Sequence, residues 1–284
     1  MSGPTLAFAG EPGSFGEDAA LTYLPGCQTR SVETFDAVFG AVAKGMVESG
    51  GVVDGGVVPI ENVRQGTVRE VYDLLLEHEL HIVGEIEVPV RLCLAALPGQ
   101  AIDDIQRVYS HVQALAQAEA FLRSRKWLLM ASTTTSSAGS EIALRRERGA
   151  AAVLSPRAAA LHGLAVLASD IQADERNRTR FLVLAGSAQA EWAQPAASVD
   201  RTTIAFAVAN EPGALLRVLG VIANRSINMS KLESRPSRQR EWEYVFWADL
   251  DADLCTVDAR PVLAGLHSAT SWLRVMGCYP RSAP

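Results

Sequence analysis

Four short stretches of this sequence carry side chains able to hold or transform a small polar ligand. Asn177-Arg178-Thr179-Arg180-Phe181 sets a hydroxyl, a guanidinium and an aromatic ring in a row just before an apolar run. A loop entering a strand there can present all three to one pocket, with Arg180 paired bidentately to a carboxylate; the plainer alternative is a surface arginine on a loop. Pro59-Ile60-Glu61-Asn62 closes another apolar run. In an open α/β sheet the carboxyl ends of parallel strands are where ligands bind, so Glu61 and Asn62 either hold a polar ligand or form a turn and cap. Ser110-His111-Val112-Gln113 precedes a helix, and Ser110 and Gln113 have the spacing of a capping box. Gln113 and Gln117 are also four apart, on one helix face near an N-terminus, where amides suit an anion. Thr133-Thr134-Thr135-Ser136-Ser137 is a hydroxyl-rich loop that either cradles a carboxylate with its backbone amides or simply caps the helix after it.

Other chemistries find less support. His78 and His81, flanked by Glu77 and Glu79, fall at the end of a charged helix without a further ligand, so we read them as solvated and expect no metal. Cys27, Cys93, Cys255 and Cys278 form no C-x-x-C pair and read as reduced thiols of a cytoplasmic protein rather than a disulfide framework. A formal net charge of -6 argues against a nucleic-acid surface. No signal segment is visible, and no apolar stretch is long enough to span a bilayer. The 284 residues, 48% hydrophobic and 20% charged, suit two or three compact units.

The elements that must position these residues alternate between strands and helices. Leu6–Ala9 is a short apolar run broken by Gly10-Glu11-Pro12-Gly13, and Glu17 and Asp18 fall where acidic residues favour a helix start. Gly56–Ile60 reads as a strand, followed by a helix with a capping box at Thr67-x-x-Glu70 and a stripe of Val71, Leu74 and Leu75. Strand character recurs at Val88–Leu94, Ala151–Leu154 and Phe181–Leu184, and helical character at Gln113–Leu122 and Ser137–Arg146. The small, loop-like stretch from Ala188 to Ser198 marks a boundary. Beyond it, alternating Ile204, Phe206 and Val208, a helix carrying Leu215, Leu219 and Ile222, strands at Ile227–Leu232 and Trp242–Leu250 joined by a loop at Pro236–Arg240, a helix with Val262 and Leu266 and a last strand at Trp272–Met276 spell β-α-β-β-α-β, the ferredoxin-like unit.

Taken in order, the motifs resemble those of the prephenate dehydratase family over nearly the whole chain. Gly10-Glu11-Pro12-Gly13-Ser14-Phe15 is similar to its N-terminal Gly-rich turn, Gly56–Asn62 to its Pro-Ile-Glu-Asn motif, Ser110–Gln117 to its Ser-His-Pro-Gln-Ala-Leu segment, and Thr179-Arg180-Phe181 to its Thr-Arg-Phe signature. Asn210-Glu211-Pro212-Gly213-Ala214-Leu215 and Glu233-Ser234-Arg235-Pro236 resemble the two segments that build the phenylalanine site of its ACT domain. Val63 replaces the family's usual Ser after Glu-Asn, Val112 replaces Pro, Gly16 replaces a common hydroxyl residue, and Ser132-Thr133-Thr134 stands for Ser-Thr-Ala.

The resemblance implies a two-lobed, periplasmic-binding-protein-like α/β catalytic domain over 1–190, its second lobe at about 86–168, and an α+β ferredoxin-like ACT regulatory domain over 200–284. It implies a monofunctional enzyme that converts prephenate to phenylpyruvate with loss of CO2 and water, using no cofactor and no metal. Thr179, Arg180 and Phe181 would be catalytic. Ser14, Phe15, Glu61, Asn62, Ser110, Gln113, Gln117, Thr134 and Asn177 would bind substrate. Asn210, Pro212, Gly213, Ala214, Leu215 and Glu233, Ser234, Arg235, Pro236 would hold L-phenylalanine, the second segment coming from a neighbouring subunit of a homodimer or homotetramer. Arogenate dehydratase and a non-catalytic amino-acid sensor are the alternatives.

Overall fold

A computed structural model describes residues 3–193, 198–236 and 243–282. Among these residues no helix is long and apolar enough to cross a membrane. The first strands and helices follow chain order as β1 (Thr5–Ala9), α1 (Phe15–Tyr23), β2 (Gln28–Val32), α2 (Phe35–Lys44), β3 (Gly55–Asn62), β4 (Gly66–Thr67), α3 (Arg69–Glu77) and β5 (His81–Pro89). Then come β6 (Cys93–Ala96), β7 (Arg107–Ser110), α4 (Val112–Gln117), α5 (Glu119–Leu122), β8 (Leu128–Ala131), α6 (Thr135–Arg145), β9 (Ala150–Leu154), α7 (Pro156–Leu161), β10 (Ala165–Ala168) and β11 (Arg178–Ala185). The chain ends with β12 (Arg201–Ala207), α8 (Ala214–Ala223), β13 (Met229–Pro236), β14 (Tyr244–Leu250), α9 (Arg260–Ala269) and β15 (Trp272–Tyr279).

Three sheets result. The first runs β2-β1-β3-β11-β5 with β4 attached to β3, the second β10-β6-β9-β7-β8, and the third β13-β14-β12-β15. β1 is parallel to β2 and β3, and β7 is parallel to β8 and β9 while β6 pairs antiparallel with β9 and β10. The first two sheets are the two α/β lobes. Their central strands are near-continuous apolar runs, such as the fully buried Ala150–Leu154, because helices cover both faces. The third sheet is antiparallel with its two helices between strands in the order β-α-β-β-α-β, the ferredoxin-like unit.

Chain compactness divides the molecule into two units. One holds residues up to 78 and 86–182; the other holds 79–85 and everything from 183. Strands β5 and β11 thus each contribute residues to both. In the second unit Glu85 of β5 receives two hydrogen bonds from Arg201 of β12, at 2.7 and 2.9 Å. Both are buried, Glu85 to 5% and Arg201 to 9% exposure. Gly277 of β15 lies so close to β5 that a Cβ there would fall on the Ile82 carbonyl oxygen.

Three local expectations are corrected. The Thr67–Glu70 capping box does not form, because α3 begins after Val68, which makes no side-chain cap. The run Val88–Leu94 is interrupted, with β5 ending at Pro89 and β6 beginning at Cys93. Cys255 and Cys278 are joined in a disulfide, leaving Cys27 and Cys93 as buried thiols; spacing in sequence could not reveal this, since 23 residues and a helix separate the pair. Trp242 and the loop residues 237–240 fall outside the described residues.

The buried pair generates a stability prediction. Arg201→Met takes away the guanidinium that compensates the buried Glu85 carboxylate, leaving it the Ser282 N–H at 3.2 Å, and should cost about 3–5 kcal/mol. Adding Glu85→Gln should recover part of that loss. Urea unfolding of the two variants checks it: equal midpoints for the single and double replacements would show that the charges are not coupled.

Candidate active site

The first unit gathers its polar side chains where the two lobes join. Two segments link the lobes, one at Val90–Leu92 and one at Ile171–Asn177, bound to each other by Val90 N–H to the Asn177 carbonyl and Ile171 N–H to the Leu92 carbonyl. Gln172 adds a side-chain bond to the Leu92 amide. Beside this junction β3 ends at Asn62 and β11 begins at Arg178, and Val63 N–H donates to the Arg178 carbonyl.

Asn62 organises the group. It is buried, and its Oδ1 accepts from the backbone amides of Arg64 and Gln65, each at 3.0 Å. Because a backbone N–H can only donate, these bonds fix the amide's orientation. Its NH2 must then face the other way, where it donates to Asn177 Oδ1 at 3.0 Å, the Arg178 carbonyl at 3.0 Å and Thr179 Oγ1 at 2.9 Å. Two hydrogens serve three acceptors, so one is shared. Two consequences follow. Asn177, only 1% exposed, must turn Oδ1 to Asn62, and its own NH2 points elsewhere with no hydrogen-bond partner among the described residues. Thr179 Oγ1 is held as an acceptor, so its hydrogen is directed away from Asn62. Thr179 and Arg180 are half-buried and Phe181 is buried, anchoring the strand.

The second lobe carries the other expected residues, and among the described residues no hydrogen bond joins their side chains to Asn62 or Thr179. Ser110 ends β7, fully buried, and its hydroxyl donates to the Val153 carbonyl at 2.5 Å. It therefore stitches β7 to β9 instead of capping α4. That cap is His111, whose Nδ1 accepts from the Gln113 amide. Gln113 is exposed on α4, while Gln117 is half-buried and its carbonyl accepts from Ala173 N–H in the linking segment. Thr134 caps α6: its Oγ1 accepts from Ser137 N–H at 2.9 Å and Ser137 Oγ accepts from Thr134 N–H. Glu61, beside Asn62, is half-buried.

The Gly-rich turn is the remaining part. Ser14 caps α1, and Phe15 packs against the apolar cluster of the second lobe that includes Val90, Leu92 and Ala114. Ser136 Oγ lies 3.0 Å from His162 Nε2, an arrangement that could suggest a nucleophile and base. Ser136 is fully buried, however, and its hydroxyl donates to the Pro12 carbonyl. Burial pushes the His162 pKa down, against the upward pull of the Glu11 charge and the Ser136 bond. This pair holds structure together and presents no attacking oxygen. Sequence reading named Ser136 only as part of a hydroxyl-rich loop and missed Ser155, Arg157 and His162, since each contact spans 26 or more residues and no local pattern announces it.

In the second unit the two segments of interest separate. Val208, Ala209, Asn210, Glu211, Gly213, Ala214, Leu215 and Leu216 line a hollow of about 340 Å³ with Glu243, Tyr244 and Phe246. Gly213 sits at φ 80 as the N-cap of α8, a conformation that suits glycine. Pro212 and Glu233–Pro236 are not among the lining residues; the latter lie along β13, paired with Tyr244–Trp247 of β14.

The prephenate dehydratase family profile matches residues 6–189, and that of the ACT domain residues 202–254. A chloroplastic arogenate dehydratase/prephenate dehydratase 1 of Arabidopsis thaliana is 37% identical over 292 residues, 97% of this chain and 71% of the relative. The crystal structure of a prephenate dehydratase in complex with L-Phe from Arthrobacter aurescens is 30% identical with a TM-score of 0.83, covering 98% of this chain and 90% of that one. A structure described as GqqA, a novel type of quorum quenching acylase, is 28% identical with a TM-score of 0.85, covering 99% and 98%. With a dehydratase segment over most of its length followed by an ACT segment, this protein belongs to the prephenate dehydratase family.

Proposed function

We propose that this protein converts prephenate to phenylpyruvate and is inhibited by L-phenylalanine bound to its C-terminal unit. The observation that carries the reading is the Thr179 hydroxyl, held as an acceptor by an amide whose orientation is fixed by backbone donors. Prephenate carries two carboxylates and a hydroxyl on a non-aromatic ring. Loss of the ring carboxylate as CO2, with its bonding electrons entering the ring and hydroxide leaving, creates an aromatic ring. The protein must hold the dianion and help the hydroxide depart. Thr179 turns its hydrogen toward that oxygen; a threonine is a poor acid, so it acts as an aligned donor whose bond strengthens as charge develops. Arg180 pairs with a carboxylate. The spare NH2 of Asn177, Glu61, Gln113, Gln117 and Thr134 orient the ligand, and Ser14 and Phe15 close it from the Gly-rich turn.

Arogenate, which differs by an amine in place of the side-chain keto group, is the second reading, favoured by plant relatives that are arogenate dehydratases by name. Incubating the purified protein with each compound and identifying phenylpyruvate or phenylalanine separates the two. Turnover of neither would overturn both readings.

Thr179→Val keeps the side chain's volume and removes the donor. We expect kcat to fall about a hundredfold or more with KM little changed, and Thr179→Ser to recover much of it. A kcat within a few-fold of the parent in a folded Thr179→Val protein would remove Thr179 from the reaction.

Arg180→Lys replaces a planar fork with a point charge. A raised KM is expected, with or without a fall in kcat; an unchanged KM places the carboxylate elsewhere.

For the effector, the hollow at the start of α8 offers backbone N–H groups to a carboxylate and an apolar wall of Leu215, Tyr244 and Phe246. Glu233–Pro236 of a second copy would complete it, which makes the working form a dimer or a dimer of dimers. Because the second unit includes residues 79–85, deleting the C-terminal region would strip partners from β5, so filling the hollow is the cleaner test. Gly213→Val should abolish phenylalanine inhibition and phenylalanine binding by calorimetry while turnover persists. Equal inhibition of both proteins would mean that phenylalanine competes at the active site.

A further inference from the structure

Two linking segments leave a pair of lobes free to hinge about the line between them. In this chain the Gly-rich turn adds a third attachment. Ser136 of α6 donates to the Pro12 carbonyl, and Ser155, which caps α7, donates to the Gly13 carbonyl at 3.2 Å. Arg157 of α7 reaches Glu17 at 2.8 Å and Asp18 at 2.9 Å, both on α1 of the other lobe. Gly13 has φ +86, and a Cβ there would stand 3.0 Å from the Ala158 backbone and 3.1 Å from Ser136 Oγ, so the turn is seated directly against the second lobe.

Glu17 connects the ion pair to the turn. It is 7% exposed, accepts from Gly13 N–H at 2.7 Å and accepts from Thr29 at 2.8 Å. Burial pushes its carboxyl up, but the Arg157, Gly13 and Thr29 bonds outweigh that and hold it below the ordinary range. Asp18 goes the other way: burial raises it more than Arg157 lowers it. Arg157 thus faces two carboxylates, and that of Glu17 also braces the residue before Ser14 and Phe15. An exposed ion pair is worth little; one whose carboxylate is buried loses a compensating charge when its partner is removed.

We propose that Arg157 is a positioning residue that, through Glu17 and the Gly13 amide, fixes how far the two lobes close and so where Ser14 and Phe15 stand over the substrate. It touches no substrate itself. One nitrogen, Nη1, makes both contacts, so a point charge of similar reach meets the need. The proposal takes the dehydratase reading of the cleft for the kinetic part of its test, and a second, substrate-free measurement keeps the two separable.

The test uses the full chain. Arg157→Gln should raise KM about tenfold while changing kcat less, the pattern of lost binding geometry, and Arg157→Lys should reverse most of that rise. A merely structural role would not sort KM from kcat or favour lysine. In parallel, spin labels at Glu33→Cys on the first lobe and Lys126→Cys on the second, both exposed sites, report the lobe separation; the native free cysteines are buried and the other two are paired. The distance distribution should broaden or lengthen in Arg157→Gln and return in Arg157→Lys. If Arg157→Gln does not fold, Ser136→Ala, which removes the hydroxyl tether to Pro12 together with its contact to His162 within the second lobe, should shift the same two readouts less far in the same direction. Broadened distances in a protein that turns over neither prephenate nor arogenate would support the clamp and sink the dehydratase reading. Unchanged distances and KM in folded Arg157→Gln or Ser136→Ala protein would overturn the clamp.

Discussion

The arrangement at the head of β11 depends on one amide that cannot rotate. Asn62 has its oxygen committed to two backbone N–H groups in the turn after β3, and neither can accept a bond in return. Everything its nitrogen faces must accept, and so Asn177 turns its oxygen to Asn62 and the Thr179 hydrogen is kept away from it. A hydroxyl whose acceptor side is engaged has its hydrogen left for another partner. The Asn62 carbonyl partners lie in a tight turn formed by β3 pairing with β4, so the geometry descends from a hairpin rather than from long-range packing.

The strand that carries Thr179 is constrained at both ends. At its start stand Asn62 and the linking segment; at its end the chain passes into the second unit at Val183. β5, its sheet neighbour, passes between units at Glu85 and Ile86 and carries the buried Glu85–Arg201 pair. A charge pair shielded from water keeps its Coulombic strength better than an exposed one, and Gly277 lets β15 come to backbone contact with β5 at Ile82. These two features explain why a few residues far back in sequence are structurally part of the later unit.

Most of the secondary-structure order was legible because it rests on local periodicity: the apolar runs at Leu6, Val57, Val153 and Leu182 are strands, and the β-α-β-β-α-β order after Ser198 is plain in the pattern. Candidate residues at Asn62, Asn177 and Thr179 were also visible, since their motifs are contiguous. What stayed hidden are interactions whose partners are remote. Glu17 and Asp18 read correctly as the acidic first turn of α1, yet nothing near them points to Arg157, about 140 residues on. The Cys255–Cys278 bond was hidden for the same reason. Caps were misread where two residues compete for one role: Ser110 has the right type and spacing, but a fully buried hydroxyl must find a fixed partner, and the Val153 carbonyl supplies one, leaving His111 to cap α4.

The departures from the family's motifs fall where the change of side chain breaks no observed contact. Val63 is exposed, and what it contributes is its N–H to the Arg178 carbonyl; a serine would donate the same bond. Val112 is the first residue of α4 with its side chain in solvent. Proline suits that position because the first N–H of a helix has no intrahelical partner, so valine gives up a preset φ without disturbing any bond within the helix. Gly16 lies in the first turn of α1, where an added Cβ would find ordinary contacts at 3.5 Å or more, so the missing side chain leaves no strain behind. At Thr134 the hydroxyl caps α6, a role that the residue type itself supplies. Substitution at each of these four places therefore leaves the Asn62–Asn177–Thr179 cluster bonded as it is.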